Sequence, residues 1–133
     1  MKKVSNADIF MGIRENIKKL KKMHNGWLDG DGLAPNSAGL DWLQGVFLKN
    51  YPGNLPQPYI YPTVEGNVQV EWSLNVSEIT MVVNLSTHIA EWQAVEFGTA
   101  GPFDEYSLNL DDDSGWKKII DGIKIRLSIE KSS

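Results

Sequence analysis

Two aspartates separated by one glycine, Asp29 and Asp31, have the spacing in this 133-residue chain that most directly suggests chemistry. Alternating carboxylates open the calcium loop of EF-hand proteins, which also needs ligands at positions five and twelve and a glycine at position six. Counted from the first aspartate, those three positions hold Leu33, Leu40 and Ala34. The spacing excludes an EF-hand. We interpret the segment as an Asx-turn loop, whose side-chain oxygens accept hydrogen bonds from nearby backbone amides.

Other side chains that could act as a base, a nucleophile or a phosphate cradle lack the neighbours that such chemistry requires. His24 and His88 fall in predicted turns, and neither has a second histidine four residues away. No serine lies in a GxSxG sequence, and the glycines follow neither a GxGxxG nor a P-loop pattern. The sequence has no cysteine, which excludes disulfides and thiolate zinc sites. We therefore name no catalytic residue, metal ligand or cofactor, and the balance favours a protein that is not an enzyme.

One arrangement of polar and aromatic side chains could line a groove. Glu71 alternates with Val70 and Trp72, so on a strand it points to the face opposite theirs. If that polar face is concave, it would form a groove with the turn before it and the loop at 26–36. The lining would be Trp27, Asp29, Asp31, Tyr61, Glu65 and Glu71. The alternative is that Glu71 simply faces solvent on a one-sided sheet.

Three segments have the apolar spacing of amphipathic helices. The first covers residues 6–23, and the second begins at Asn36 or Ser37 and stops before residue 52. The third begins after Asp113, with the preceding aspartates near its positive N-terminus. A strand over 123–129 competes with the end of this helix because apolar and polar residues alternate there. The helix is favoured, since its acidic start agrees with its long apolar stripe.

Between the second and third helices, short segments alternate apolar and polar residues and are separated by turn sequences. They predict strands at about 59–61, 67–74, 79–85, 89–97 and 106–110. Trp92 interrupts the alternation of the fourth strand and suggests a bulge or burial on both faces. The order of elements predicts a single α+β domain over 1–133: two N-terminal helices, an antiparallel meander of about four to five strands and a C-terminal helix. The helices are expected on one sheet face.

Charge and hydropathy restrict the class of partner. A net charge of −4 argues against nucleic acid, and the basic run at 18–22 is typical of the last turn of a helix. No apolar run is long enough to span a membrane. Residues 4–8 are not the apolar segment of a secretory signal, so we expect a cytoplasmic protein. Homo-oligomerisation is left open.

Three segments, GWLDGDG at 26–32, GLDWL at 39–43 and PTVEGNVQVEW at 62–72, carry a resemblance to known sequences. The chain resembles a family of small uncharacterised bacterial proteins that share a GWLDGEG-type loop and a PTPEGGVQxEW-type hairpin. It departs from this pattern at Asp31, Val64 and Asn67. Asn67 replaces a glycine but tolerates a positive φ, so we expect the turn to be kept. The resemblance implies no activity and no functional residues.

These observations favour a small non-enzymatic binding or accessory protein that engages another protein. The uncovered sheet face or the Trp-bearing loop at 26–36 would make the contact. The first alternative is a small hydrolase-like or metal-assisted enzyme that uses Asp29, Asp31 and Glu71. The second is an antitoxin or immunity protein.

Overall fold

A computed structural model describes residues 11–98 and 104–132, with side chains as far as residue 128. The chain forms three helices and five strands within these ranges. In chain order they are α1 (Met11–Lys21), α2 (Ser37–Asn50), β1 (Tyr59–Pro62), β2 (Val68–Ser73), β3 (Ser77–Val83), β4 (Ile89–Glu96), β5 (Asp104–Asn109) and α3 (Asp113–Ser132). The predicted first helix began at residue 6, and its first five residues lie outside the described part.

The five strands form one antiparallel sheet in the order β1-β2-β3-β4-β5, as the predicted meander requires. Val70 of β2 lies opposite Met81 of β3, which lies opposite Trp92 of β4. These residues are buried, so this row belongs to the inner face. The α+β fold, with helices on one side of an antiparallel sheet, is confirmed.

The expected irregularity at Trp92 is wrong. Pairing between β3 and β4 is continuous from Ser77 opposite Glu96 to Val83 opposite Ala90. The inward residues of β4 are Ala90, Trp92 and Ala94, all buried. A large residue between two small ones keeps the two-residue period intact, and the alanines leave room for the indole.

The helices contribute apolar stripes to the core between them and the sheet. Ile13, Ile17 and Leu20 are the buried apolar residues of α1, with the three- and four-residue spacing of one helix face. The Asn36 side chain caps α2 by accepting a hydrogen bond from Gly39 N at 2.8 Å. A Cβ at position 39 would lie 2.6 Å from Leu85 Cβ, so only glycine allows this close approach.

The C-terminal segment is a helix throughout, which resolves the competition with a strand in favour of the helix. Ile119 and Ile123 are fully buried, whereas Ile125 is exposed. Alternation of apolar residues was therefore misleading here, because the buried stripe follows the helical period. Arg126 of α3 is also buried, and it donates to Asp104 Oδ2 at 2.9 Å and to Gly122 O.

Strand β1 lies at the edge of the sheet, and a helix side chain covers its outer backbone groups. Asn16 Nδ2 donates to Ile60 O at 2.9 Å, and Ile60 N donates to Asn16 Oδ1 at 2.7 Å. Asn16 is only 8% exposed. The amide thus replaces a neighbouring strand at this position and blocks edge-to-edge pairing there.

Within residues 11–98 and 104–132, none of the helices has the length and apolar character needed to cross a bilayer.

Candidate functional site

The outer face of the sheet is rich in carboxylates, and no helix of the described ranges, 11–98 and 104–132, lies over it. One row runs across all five strands from Tyr59 through Glu71, Thr80 and Gln93 to Glu105. The next row comprises Tyr61, Gln69, Val82, Glu91 and Ser107. A third, shorter row adds Ser73, Glu78 and Val95. We call these three rows the outer face.

The strands contribute four glutamates and no basic side chain to the outer face. None of the 13 Lys and Arg residues falls between Lys49 and Lys117, the segment that contains every strand. The cations lie instead largely on the helices, including Lys18, Lys19 and Lys21 in the last turn of α1. Charge is therefore segregated between the two layers, and the outer face carries a negative potential.

Two of these glutamates repel each other. Glu71 and Glu78 lie on neighbouring strands, one diagonal step apart in the register. A hydrogen-bonding contact with the Glu78 carboxyl raises the pKa of Glu71, with partial burial and charge repulsion as further causes. Repulsion by Glu78 therefore disfavours the ionised form of Glu71, and like charges on neighbouring strands oppose folding. The molecule therefore keeps an electrostatic cost that a bound cation would relieve.

Aromatic and aliphatic groups lie beside the carboxylates. The rings of Tyr59 and Tyr61 are 4.6 Å apart at their centroids, and both side chains are exposed. Val82 is also exposed, in the middle of the sheet. Exposed tyrosines next to apolar groups are typical of protein–protein interfaces.

The loop at 26–33 is held by backbone hydrogen bonds. Gly26 N donates to Gly32 O at 2.7 Å, and Leu28 and Asp31 exchange a pair of backbone hydrogen bonds. Trp27 Nε1 donates to Leu33 O, and a Cβ at Gly32 would lie only 2.8 Å from this nitrogen. Because φ at Gly32 is also positive, the loop needs a glycine there.

The Asx-turn interpretation of this loop is wrong. Asp29 and Asp31 are exposed, and neither carboxylate accepts a hydrogen bond within residues 11–98 and 104–132. Asn25 instead accepts from Ala34 N at 2.9 Å. Asp29 has φ of 50°, which explains why a residue that tolerates the left-handed region is found there.

The six residues of the predicted groove lie in two neighbouring places. Leu33 pairs with Glu65 in a parallel bridge, which attaches the loop carrying Trp27 to the β1–β2 turn. Tyr61 and Glu71 lie on the outer face, with Tyr61 opposite Gln69 and Glu71 opposite Tyr59. Glu71 is about 10 Å along β2 from its start at Val68. A common groove stays a prediction.

The β1–β2 turn differs from expectation in one detail. The positive φ falls at Gly66, at 86°, and not at Asn67. Asn67 instead accepts a hydrogen bond from Leu85 N at 3.1 Å, which ties this turn to the end of β3. The side chain of Asn67 therefore has a role that a glycine could not have, because its amide oxygen holds the backbone that follows β3.

Sequence reasoning missed a cluster of Trp42, His88 and Asp111. The Trp42 and His88 rings stack with centroids 3.6 Å apart. Trp42 Nε1 donates to Asp111 Oδ1 at 2.9 Å, and His88 Nδ1 lies 2.7 Å from Asp111 Oδ2. The His88 contact lowers the pKa of Asp111. Residues this far apart in the chain leave no spacing signal, and the aspartates were interpreted only as the start of a helix.

This cluster joins α2, the β3–β4 turn and the segment before α3. A His–Asp pair can orient an imidazole as a general base. Within the described part of the chain, however, no hydroxyl group hydrogen-bonds to His88. The ring stack and the two contacts with Asp111 connect these three segments.

No group of three or more His, Cys, Asp or Glu side chains within residues 11–98 and 104–132 is arranged to hold a metal ion. The enzyme alternative needs Asp29, Asp31 and Glu71 to converge. Two of these lie on the loop and one in the strand, and this alternative stays a prediction.

Comparison with protein-family models, curated proteins and solved structures found no match.

Proposed function

We propose that this protein is a non-enzymatic binding module whose outer face docks a basic protein. The observation that carries the proposal is the set of four glutamates spread over the outer face, whose strands contain no Lys or Arg. A partner with Lys and Arg side chains would neutralise them, and its apolar groups would cover Tyr59, Tyr61 and Val82. Such charge complementarity sets association rate and specificity more than affinity.

The cationic side chains of the helices also favour a basic partner for the outer face. A partner that is itself acidic would be repelled by the outer face and attracted to α1. A second copy of this chain, docked by its helix side, is the competing occupant, and the oligomeric state of the purified protein distinguishes it from a basic partner. We choose the basic partner because the chain has a net charge of −4, so that two copies repel each other.

Affinity capture with matched variants tests the proposal. The triple variant Glu71→Gln, Glu78→Gln and Glu105→Gln removes three charges from the outer face. The control Asp29→Asn, Asp31→Asn and Glu65→Gln removes three charges from the loop end. We expect the wild type and the control to retain the same basic protein, identified by mass spectrometry and released by rising salt, and the triple variant to lose it.

If only the control variant loses the basic protein, the binding surface is the Trp-bearing loop, and the proposal that the outer face binds is refuted. Retention by all three proteins, or an acidic partner, would also refute the proposal.

An antitoxin or immunity role is a specific form of this function. An acidic face is suited to bind a basic toxin, because toxins that act on nucleic acids need cationic surfaces. Co-expression with a basic toxin encoded beside the gene would test it: the wild type should restore growth, and the triple variant should not.

A further inference from the structure

A depression on the outer face has the size and the lining groups to bind one side chain. It encloses about 310 Å³ beside the β3–β4 turn and is lined by Asn67, Val82, Asn84, Thr87, Ile89 and Glu91. This volume is at the small end of the range for ligand pockets, which suits a single residue better than a cofactor.

The carboxylate of the depression is held in place before any ligand arrives. Ser107 Oγ lies 2.9 Å from Glu91 Oε1 and 2.7 Å from Oε2, so one hydroxyl is shared by both oxygens. An ionised carboxylate has about four acceptor positions, which leaves others open to a second donor. Glu91 is exposed, and no strand provides a cation to neutralise it.

Two amides beside the carboxylate are oriented by the backbone. Asn84 Oδ1 accepts from Ser86 N and Thr87 N, at 2.9 and 3.0 Å, and Asn67 Oδ1 accepts from Leu85 N. Each amide oxygen is thus engaged, while the Nδ2 groups donate no hydrogen bond within the described part of the chain. Such NH₂ groups suit the backbone carbonyls of an extended peptide.

We infer that this depression binds an arginine side chain of the basic partner. The guanidinium would bond to the Glu91 carboxylate, the aliphatic stem would lie along Val82 and Ile89, and peptide carbonyls would accept from Asn67 and Asn84. Arginine fits better than lysine because its planar donor fork matches a carboxylate and is less strongly hydrated. The inference rests on the proposed function, since it specifies how the partner is recognised.

A titration followed by NMR tests the pocket without the natural partner. The probe is the capped peptide acetyl-Gly-Arg-Gly-amide, added to the ¹⁵N-labelled full chain, with the Lys and citrulline peptides as matched controls. We expect saturable shifts at the side-chain amides of Asn67 and Asn84 and at the backbone amides of Val82 and Ile89. Lys and citrulline peptides should bind about tenfold more weakly, as loss of a charged or bidentate hydrogen bond requires.

Two variants locate the binding. Glu91→Gln should weaken the arginine peptide about tenfold, since it removes the charge but keeps an acceptor for Ser107. Glu105→Gln removes the same charge elsewhere on the outer face and should change the affinity less than about twofold, as expected for a screened remote charge. Equal effects of both variants, equal binding of the Arg and Lys peptides, or shifts outside the depression would overturn the inference.

The proposed function can fail separately. The capture variants leave Glu91 intact. Retention of a basic protein by the wild type and the loop-end control, but not by the triple variant, would therefore support docking even if the arginine peptide does not bind. Binding of the peptide at Glu91 without any captured basic protein would support the pocket and count against docking of a basic protein.

Discussion

The two faces of the sheet use alternate residues of the same five strands and have opposite properties. The inner face is apolar and sealed by three helices, with Trp72 and Trp92 at 5.9 Å between ring centroids. The outer face carries Glu71, Glu78 and other carboxylates, and no helix within residues 11–98 and 104–132 covers it. A face that served only solubility would mix both signs of charge, whereas this one has a single sign. The contrast assigns stability to the inner face and is the basis of the proposed recognition by the outer face.

The same charge placed on each face should have opposite consequences for folding. Val83 and Val82 are consecutive residues of β3, 0% and 37% exposed. We expect Val83→Lys to prevent folding, because an isolated buried ammonium costs several kcal/mol and total stability is about 5–15 kcal/mol. Val82→Lys should keep a cooperative thermal transition near that of the wild type. Circular dichroism checks both, and unfolding of the Val82 variant would contradict the assignment.

Removing one aromatic side chain from each face compares how much each face contributes to stability. Trp72 is buried between Phe47 and Trp92, and its Nε1 donates to the hydroxyl of Tyr51 at 3.0 Å. Trp72→Ala should lower the free energy of unfolding by about 3–5 kcal/mol. Tyr61→Ala on the outer face should cost about 1 kcal/mol or less, as for other cross-strand contacts. Urea denaturation measures both, and similar losses would mean that the outer face also supports the fold.

Asn16 covers the edge of the sheet by hydrogen-bonding to the backbone of Ile60 in β1. Asn16→Ala leaves the N–H and C=O groups of Ile60 without their partner, so we expect a loss of about 2 kcal/mol. Its matched control is Glu15→Ala, the exposed neighbour on the same helix, with a change within about 0.5 kcal/mol. Equal urea midpoints for the two variants would show that the amide clamp contributes nothing.

The smallest expected effect is a gain in stability from the outer face. Because the folded pKa of Glu71 is raised, its protonated form is favoured in the fold, and the associated stability is lost as pH rises through that pKa. Glu78→Gln removes the main cause, so it should stabilise the protein by a few tenths of a kcal/mol at neutral pH. The gain should disappear in acid, below the raised pKa of Glu71, where that carboxyl is protonated. Urea denaturation at the two pH values checks this, and destabilisation at neutral pH would contradict the repulsion.

Much of the fold could be predicted because its signals are local. The two-residue period at 68–72 identified the strand and its buried side, and Asn36 marked the start of α2. The bulge or two-sided burial predicted at Trp92 was wrong. Ala90, Trp92 and Ala94 are all inward residues, so the alternation of β4 is regular. Alternation at the end of the chain likewise competed with a helical stripe that proved correct.

The candidate site could be predicted only in part because it depends on register. Glu71 was identified from its own strand, but Glu91 and Glu105 join it only once β4 and β5 are aligned. The absence of Lys and Arg from 50 to 116 is visible in the sequence and was the available signal. This absence indicates that the glutamates share a face without cations only after the strand order and register are known. The cluster of Trp42, His88 and Asp111 had no comparable signal.

Hydroxyl-radical footprinting with decalysine, a defined cationic probe, tests whether the outer face is the docking surface. We expect decalysine to protect Tyr59 and Tyr61 from oxidation. Met11 and Ile125, 56% and 57% exposed on the helices, should keep their reactivity, and decaglutamate should protect neither tyrosine. Protection of Met11 and Ile125 instead of the tyrosines, or no protection at all, would contradict the claim.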